Sequence, residues 1–277
     1  MQASAIMLVM DALHDKVAVV TGASRGVGKG IALGLGEAGA TVYITGRSTK
    51  DDGGSLPGTI DETAAAVTKL GGVGIAVRCD HRIDGDVEAL FQRVRHEHGR
   101  LDFLVNNAFA SPEQRMLWSG LPFWELPISM WDELLTVGLR SHFVASRFAV
   151  PLMLEQGAGV IVNVSSHAAA SAKPVGSRRT IPYSVVKAAL HRLTADMATE
   201  LRDSRVAVVA LWPPATKTEG VLAQQDVWGD LSDWKSPLLT GRVLAAFLAA
   251  ENPLARTGEA IEVEELAKQW GIGDQAT

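Results

Sequence analysis

An apolar, β-branched run, KVAVVT at 16–21, passes directly into TGASRGVGKG at 21–30. The run has no polar face, so it fits a strand covered on both sides, as in a parallel sheet flanked by helices. Gly22, Gly26 and Gly28 then let the backbone turn tightly, approach a ligand closely and pack the following helix against the sheet. The start of that helix offers unpaired amides to an anion. A strand, a glycine loop and a helix in this order form a cradle for a dinucleotide pyrophosphate, built from Gly22, Ser24, Arg25, Gly26, Val27 and Gly28.

The same alternation continues along the chain. TVYIT, GVGIAVRC, LDFLVN, GVIVNVS, RVAVVAL and EAIEV read as further strands, and helical patterns begin near Val27, Thr59, Asp86, Ser129, Tyr183 and Thr240. This predicts an α/β fold: a single-domain, Rossmann-type, doubly wound parallel sheet of about seven strands with helices on both faces and right-handed crossovers. Ligands of such sheets bind at the carboxyl ends of the strands. With 277 residues, 47% of them hydrophobic, the chain can build one large core. It shows no linker-like stretch and no internal repeat. The domain is expected over 16–277, with 1–15 as a disordered extension.

A net charge of −5 and the lack of clustered Lys/Arg argue against a nucleic-acid partner. The single cysteine, Cys79, excludes an internal disulfide and a thiolate metal cluster, so no metal is expected. The opening MQASAIMLVM is too short to span a bilayer and lacks a basic leader. The expected location is the cytoplasm, with no membrane partner.

At the end of the second strand, ITGRS places Gly46 and Arg47 where an acidic residue would accept the ribose hydroxyls of NAD. Arg47, with Arg25 in the glycine loop, suits a 2′-phosphate instead, because guanidinium groups pair phosphate oxygens in bidentate fashion. NADP is therefore favoured over NAD. In IPYSVVKAAL at 181–190, Tyr183 and Lys187 share one helical face with the apolar stripe Val186, Leu190, Leu193, Met197 and Leu201. Two readings of that pair are open. Lys187 lowers the phenol pKa and makes Tyr183 an acid or base, or both are amphipathic residues with snorkelling tips.

Taken in order, TGASRGVG, CD at 79–80, NNA at 106–108, VSS at 164–166 and YSVVK at 183–187 resemble the short-chain dehydrogenase/reductase family. The resemblance spans roughly Lys16 to Ile272. WDELLTVGLRSHF, NNAFA and IEVEELAKQWGI look like a carbonyl-reductase branch of it. The resemblance implies that Tyr183 is the general acid, that Lys187 holds the nicotinamide ribose and depresses the phenol pKa, and that Ser166 polarises the substrate carbonyl. It implies further cofactor contacts at Asp80, Asn106, Ala108, Pro213 and Thr218, and a homodimer or homotetramer.

Several positions depart from the family pattern. Gly138 in TVGLR stands where a fourth catalytic residue, a water-anchoring asparagine, is expected; His142, one turn on, is a candidate substitute or a packing residue. Phe109 replaces the glycine of NNAG, and Pro214 that of PG. Both crowd the nicotinamide region. The segment from Ser166 to Tyr183 is long and carries Arg178 and Arg179, either of which could steer an anionic group.

Trp118, Phe123 and Trp124 follow the fourth strand, and Trp212, Trp228 and Trp234 end or follow the sixth. Their place at the carboxyl edge suggests a pocket for a small hydrophobic carbonyl or alcohol, with 219–238 as a substrate lid. The leading expectation is an NADP(H)-dependent oxidoreductase interconverting a hydrophobic ketone or aldehyde and its alcohol. A cofactor-binding sensor or scaffold without turnover, and an enone reductase or dehydratase, are the alternatives.

Overall fold

The computed structural model describes residues 11–51, 56–109, 117–171, 179–250 and 252–274. Each apolar run is a strand: β1 (Val17–Val20), β2 (Thr41–Gly46), β3 (Val73–Arg78), β4 (Phe103–Asn106), β5 (Gly159–Val164), β6 (Val206–Trp212) and β7 (Ala260–Glu262). All pairings are parallel, in the order β3-β2-β1-β4-β5-β6-β7. Chain direction across the sheet reverses between β1 and β4. The loops leaving those two strands diverge, which opens a crevice at their carboxyl ends.

The helices that cover the sheet are α1 (Gly26–Glu37), α2 (Ile60–Lys69), α3 (Asp84–His98), α4 (Ile128–Leu135), α5 (Ser141–Gln156), α6 (Ile181–Glu200), α7 (Pro237–Ala250) and α8 (Val263–Trp270). Strand alternation sorts the core into two layers. Ala18 and Val20 of β1 pack with Ile31, Leu35, Val243 and Phe247 on one face. Val17 and Val19 pack with Leu90, Phe91, Leu152 and Val208 on the other. Edge strand β3 is only partly buried, unlike the fully covered strands expected, because it has one strand neighbour instead of two. A β-carbon on Gly34 of α1 would lie 2.2 Å from the Gly241 carbonyl carbon of α7, so these helices touch backbone to backbone.

α4 and α5 join through Thr136–Arg140, a turn wound as a π-helix with Gly138 at its centre. Such wide turns inside α-helices recur beside functional sites.

The amino-terminal expectation needs correction. Residues 1–10 lie outside the described residues, but 11–15 are turns rather than a disordered extension. Leu13 is buried, and its N–H donates to the Ala38 carbonyl at 2.8 Å. An apolar side chain that fits the core holds the segment down. The 219–238 segment contains two helical turns, Glu219–Leu222 and Gln225–Trp228. It is tied at its base, where Lys217 N–H donates to Lys235 O and Lys235 N–H to Ala215 O, each at 2.8 Å. No helix among the described residues is long and apolar enough to cross a membrane.

Candidate active site

At the switch point lies a cleft of about 1040 Å³. Its first wall is the glycine loop, where Gly22 and Gly26 adopt φ of +64° and +61°, left-handed values that favour glycine. Gly28 is required for another reason, since a β-carbon there would stand 2.3 Å from Asn107 Nδ2. Gly22, Ser24, Arg25, Gly26, Val27 and Gly28 all line the cleft. At the start of α1, Gly26 N–H donates to Glu219 Oε2 at 2.7 Å, and Lys29 Nζ lies 3.8 Å from Glu219 Oε1. A carboxylate thus sits on the free amide of the helix N-terminus, as an anion should.

The second wall comes from the ends of β2 and β3. Arg25 reaches across to it, with Nη2 donating to Ser48 Oγ at 3.0 Å and to Gly58 O at 2.7 Å. Its buried Nε has no partner among the described residues. Arg47 is exposed beside it and also lines the cleft. Asp80 follows β3, and both of its carboxylate oxygens accept from Arg82, which holds its pKa down at about 2. His81 is pinned to Thr45 Oγ1 at 2.8 Å, and burial pushes its pKa down to about 4, leaving a neutral ring near pH 7.

The opposite end of the cleft brings together Ser166 after β5 and Tyr183 and Lys187 of α6. Ser166 Oγ accepts from Ala168 N–H at 3.1 Å, which fixes the oxygen and leaves its own proton to donate. Ser166 and Tyr183 line the same end of the cleft, and the serine is near enough to the phenol to favour its ionised form. Lys187 Nζ donates to Val164 O at 3.0 Å and lies over the faces of the Phe109 and Tyr183 rings, 5.1 and 5.7 Å from their centroids. Burial lowers the Lys187 pKa to about 8. Ala108, Pro213, Pro214 and Thr218 complete this part of the wall.

The phenol behaves differently from the expectation of a lysine-lowered pKa. Burial raises it, with nearby Ser166 and the charge of Arg179 pulling the other way. The reason is geometric: the ammonium sits over the ring face rather than at the hydroxyl.

Asn106 needs a second correction, since it does not reach the cleft. It is wholly buried, and its amide donates to His142 O, Ser146 Oγ and Asn163 Oδ1. Its neighbour Asn107 lines the cleft instead, donating to Thr21 O and Gly22 O. Strand alternation carries the signal that was missed. Leu104 belongs to the core layer beneath α5, and Asn106, two residues on, must point the same way.

His142 packs rather than lining the cleft. It is buried with Nε2 against Ala108 O at 3.2 Å, and burial pushes its pKa to about 3. Of the aromatic residues, Trp118 and Trp228 line the cleft. Trp118 contacts both Tyr183, at 5.3 Å, and Trp228, at 5.0 Å, while Trp234 rests on Trp228 from outside. Phe123 and Trp124 are exposed and contact each other. Trp212 is buried, donating its Nε1–H to His191 Nε2 at 2.6 Å. Arg178 lies outside the described residues, and Arg179 donates to Ser171 O at 3.2 Å. Glu133, Glu219, Ser48 and His81 also line the cleft and carry no sequence signal of their own.

The residues present fit a phosphorylated dinucleotide. The glycine loop already holds one anionic group, a partnerless guanidinium nitrogen lies at the β2 end, and the cleft reaches from there to Tyr183 and Lys187. Among the described residues no group of His, Cys, Asp and Glu could hold a metal ion.

Residues 16–226 match the short chain dehydrogenase family. The chain is 40% identical over 277 residues to the mouse protein named dehydrogenase/reductase SDR family member 1, covering 95% of this chain and 84% of the relative. Its human counterpart is 39% identical over 278 residues, with the same coverage. A metagenomic short-chain oxidoreductase, solved in complex with NADP, superposes with a TM-score of 0.70 at 27% identity, covering 91% of this chain and 97% of the other. On its sequence, its sheet and its cleft together, the chain belongs to the short-chain dehydrogenase/reductase family of oxidoreductases.

Proposed function

We propose that this oxidoreductase uses NADP(H) to interconvert a hydrophobic ketone or aldehyde and its alcohol, working as a reductase. The observation that carries the reading is that Ser166, Tyr183 and Lys187 line one end of a cleft whose far end bears Arg25 and Arg47. NADPH, when bound, supplies the hydride. The glycine loop would hold its pyrophosphate, Arg25, Arg47 and Ser48 its 2′-phosphate, and Lys187 its nicotinamide ribose. Asp80, Ala108, Pro213 and Thr218 would line the remainder.

Ser166 donates to the substrate oxygen, an interaction that strengthens as negative charge develops there. Tyr183, whose pKa is raised by burial, retains its proton near neutrality and is suited to deliver it to that oxygen. Trp118, Trp228 and Phe109 give the substrate end of the cleft an apolar, aromatic lining. The 219–238 segment then serves as a lid that excludes water. Phe143 and Leu154 on α5 and Val185 on α6 are large exposed apolar residues, which supports a homodimer or homotetramer; the location we propose is the cytoplasm.

The test is NADPH oxidation across a panel of hydrophobic ketones, aldehydes and enones, with Tyr183→Phe as the control. Turnover of carbonyls that falls by at least about a hundredfold in Tyr183→Phe supports the reading. Cofactor binding without turnover of any panel member would point to a sensor, and turnover confined to enones to C=C reduction.

A further inference from the structure

Phe109 and Gly138 are far apart in sequence but touch in the fold. A β-carbon built on Gly138 would stand 3.1 Å from Val186 Cγ1 and 3.2 and 3.4 Å from Cδ2 and Cε2 of Phe109. The benzyl ring of Phe109 therefore occupies the space into which any side chain at position 138 would project. Gly138 lies at the centre of the π-wound turn, where the helix widens towards α6.

The same ring meets the two reactive side chains of α6. Lys187 Nζ lies over its face, 5.1 Å from the centroid, and Tyr183 packs edge-on at 5.7 Å with an interplanar angle of 83°. An ammonium has three donors. One is used by Val164 O, and the ammonium otherwise faces the Phe109 and Tyr183 rings. Among the described residues, the ionisable groups that feel the Lys187 charge also include His142 from α5 and His191 from its own helix. Burial lowers the pKa of both, so each is neutral near pH 7 and supplies no counter-charge. Besides Val164 O and the cleft, what faces the buried cation is π density.

We propose that Phe109 and Gly138 form a matched pair that positions Lys187: the missing β-carbon makes room for the ring, and the ring face holds the ammonium where a hydrogen-bonding side chain or water would otherwise do so. Phe109 is a positioning residue, acting through Lys187 and Tyr183. This deepens the oxidoreductase reading and rests on it for its catalytic meaning, but the contact itself can be measured without turnover.

The experiment follows Lys187 in the full-length chain by NMR of ¹³Cε-labelled lysine, with Lys187→Met identifying the resonance. The wild type is expected to titrate near 8. Phe109→Leu fills much of the space but presents no π face, so Lys187 should titrate lower by roughly half a unit to one unit. Phe109→Tyr keeps the face and should titrate as the wild type. A residue that merely filled space would leave the Leu variant unshifted, and that result overturns the proposal.

A second arm uses Gly138→Ala. Gly to Ala inside a helix ordinarily stabilises, yet here the new carbon must displace the ring. Turnover of a ketone substrate should fall roughly tenfold, mainly in kcat. In a Phe109→Gly background the same substitution should cost clearly less, since only the Val186 Cγ1 contact remains. Losses that simply add in the double variant would sink the pairing. Absence of turnover in the wild type would count against the oxidoreductase reading alone, with the lysine titration still deciding the pair.

Discussion

Glu219 and Gly26 are 193 positions apart, yet the Glu219 carboxylate accepts the Gly26 amide at 2.7 Å. The amide belongs to the glycine loop that begins α1, and the glutamate to the first helical turn of the 219–238 segment. A self-supplied anion thus occupies the end of the helix where a pyrophosphate oxygen would compete for the same N–H.

Removing that competitor should favour cofactor. Glu219→Gln is expected to tighten NADPH binding by roughly three- to tenfold, because a neutral amide accepts the Gly26 N–H less strongly and does not repel phosphate. Fluorescence titration of the nucleotide measures it. A dissociation constant that is unchanged or weaker would show that the carboxylate does not stand in the phosphate position.

Selectivity for the 2′-phosphate should reside at the end of β2. Arg47→Ala is expected to weaken NADPH binding by about tenfold or more, the worth of one charge-assisted hydrogen bond, and to leave NADH binding nearly unchanged. Equal losses for both nucleotides would place Arg47 on a part of the cofactor that the two share.

Lys187 should make activity fall at alkaline pH. Its pKa is lowered to about 8, against an ordinary value near 10.4. If the cation holds the ribose, kcat/KM should decline as pH rises through about 8. Stability moves in the opposite direction over that range. Between about 8 and 10.4 the unfolded chain binds the proton and the folded chain does not, so this group makes stability rise with pH. A thermal midpoint that holds or climbs from pH 8 to 9.5 while activity falls would separate titration of the site from unfolding. Activity that stays flat to pH 9.5 would remove Lys187 from cofactor binding.

On the acid side, His81 and His142 are buried with pKa values lowered to about 4 and about 3. Unfolded histidines protonate near 6.5, so the unfolded state gains protons first as pH falls. Each group should therefore withdraw up to about 1.4 kcal/mol of stability per pH unit between roughly 6.5 and its folded value. Chemical denaturation at pH 7, 6 and 5 reads this slope. Replacing His81 with Asn should flatten the slope by about the share of one histidine, and an unaltered slope would show that the ring is already charged in the folded chain.

Much of the fold was legible because its signals are local. Seven apolar runs became seven strands, since such runs can only be buried between helices. The glycine loop was readable because two positive φ values demand glycine at Gly22 and Gly26. Other parts were misread for want of register. Asn106 and Asn107 look alike in NNA, and only the alternation of β4 sends the first into the core and the second into the cleft. The tryptophans look equivalent as a cluster, yet Trp118 lines the cleft while Trp124 is exposed.

The sequence by itself determined the layered parallel sheet, the loop that cradles an anion and the shared helical face of Tyr183 and Lys187, because each depends on residues within a few positions of one another. Only the tertiary structure decided that Glu219 reaches Gly26, that Phe109 fills the space above Gly138, and that Lys187 lies over aromatic faces instead of beside the phenol hydroxyl. Those contacts join separate elements at distances of a few ångströms, set by how the helices pack across the sheet, and no spacing along the chain encodes them.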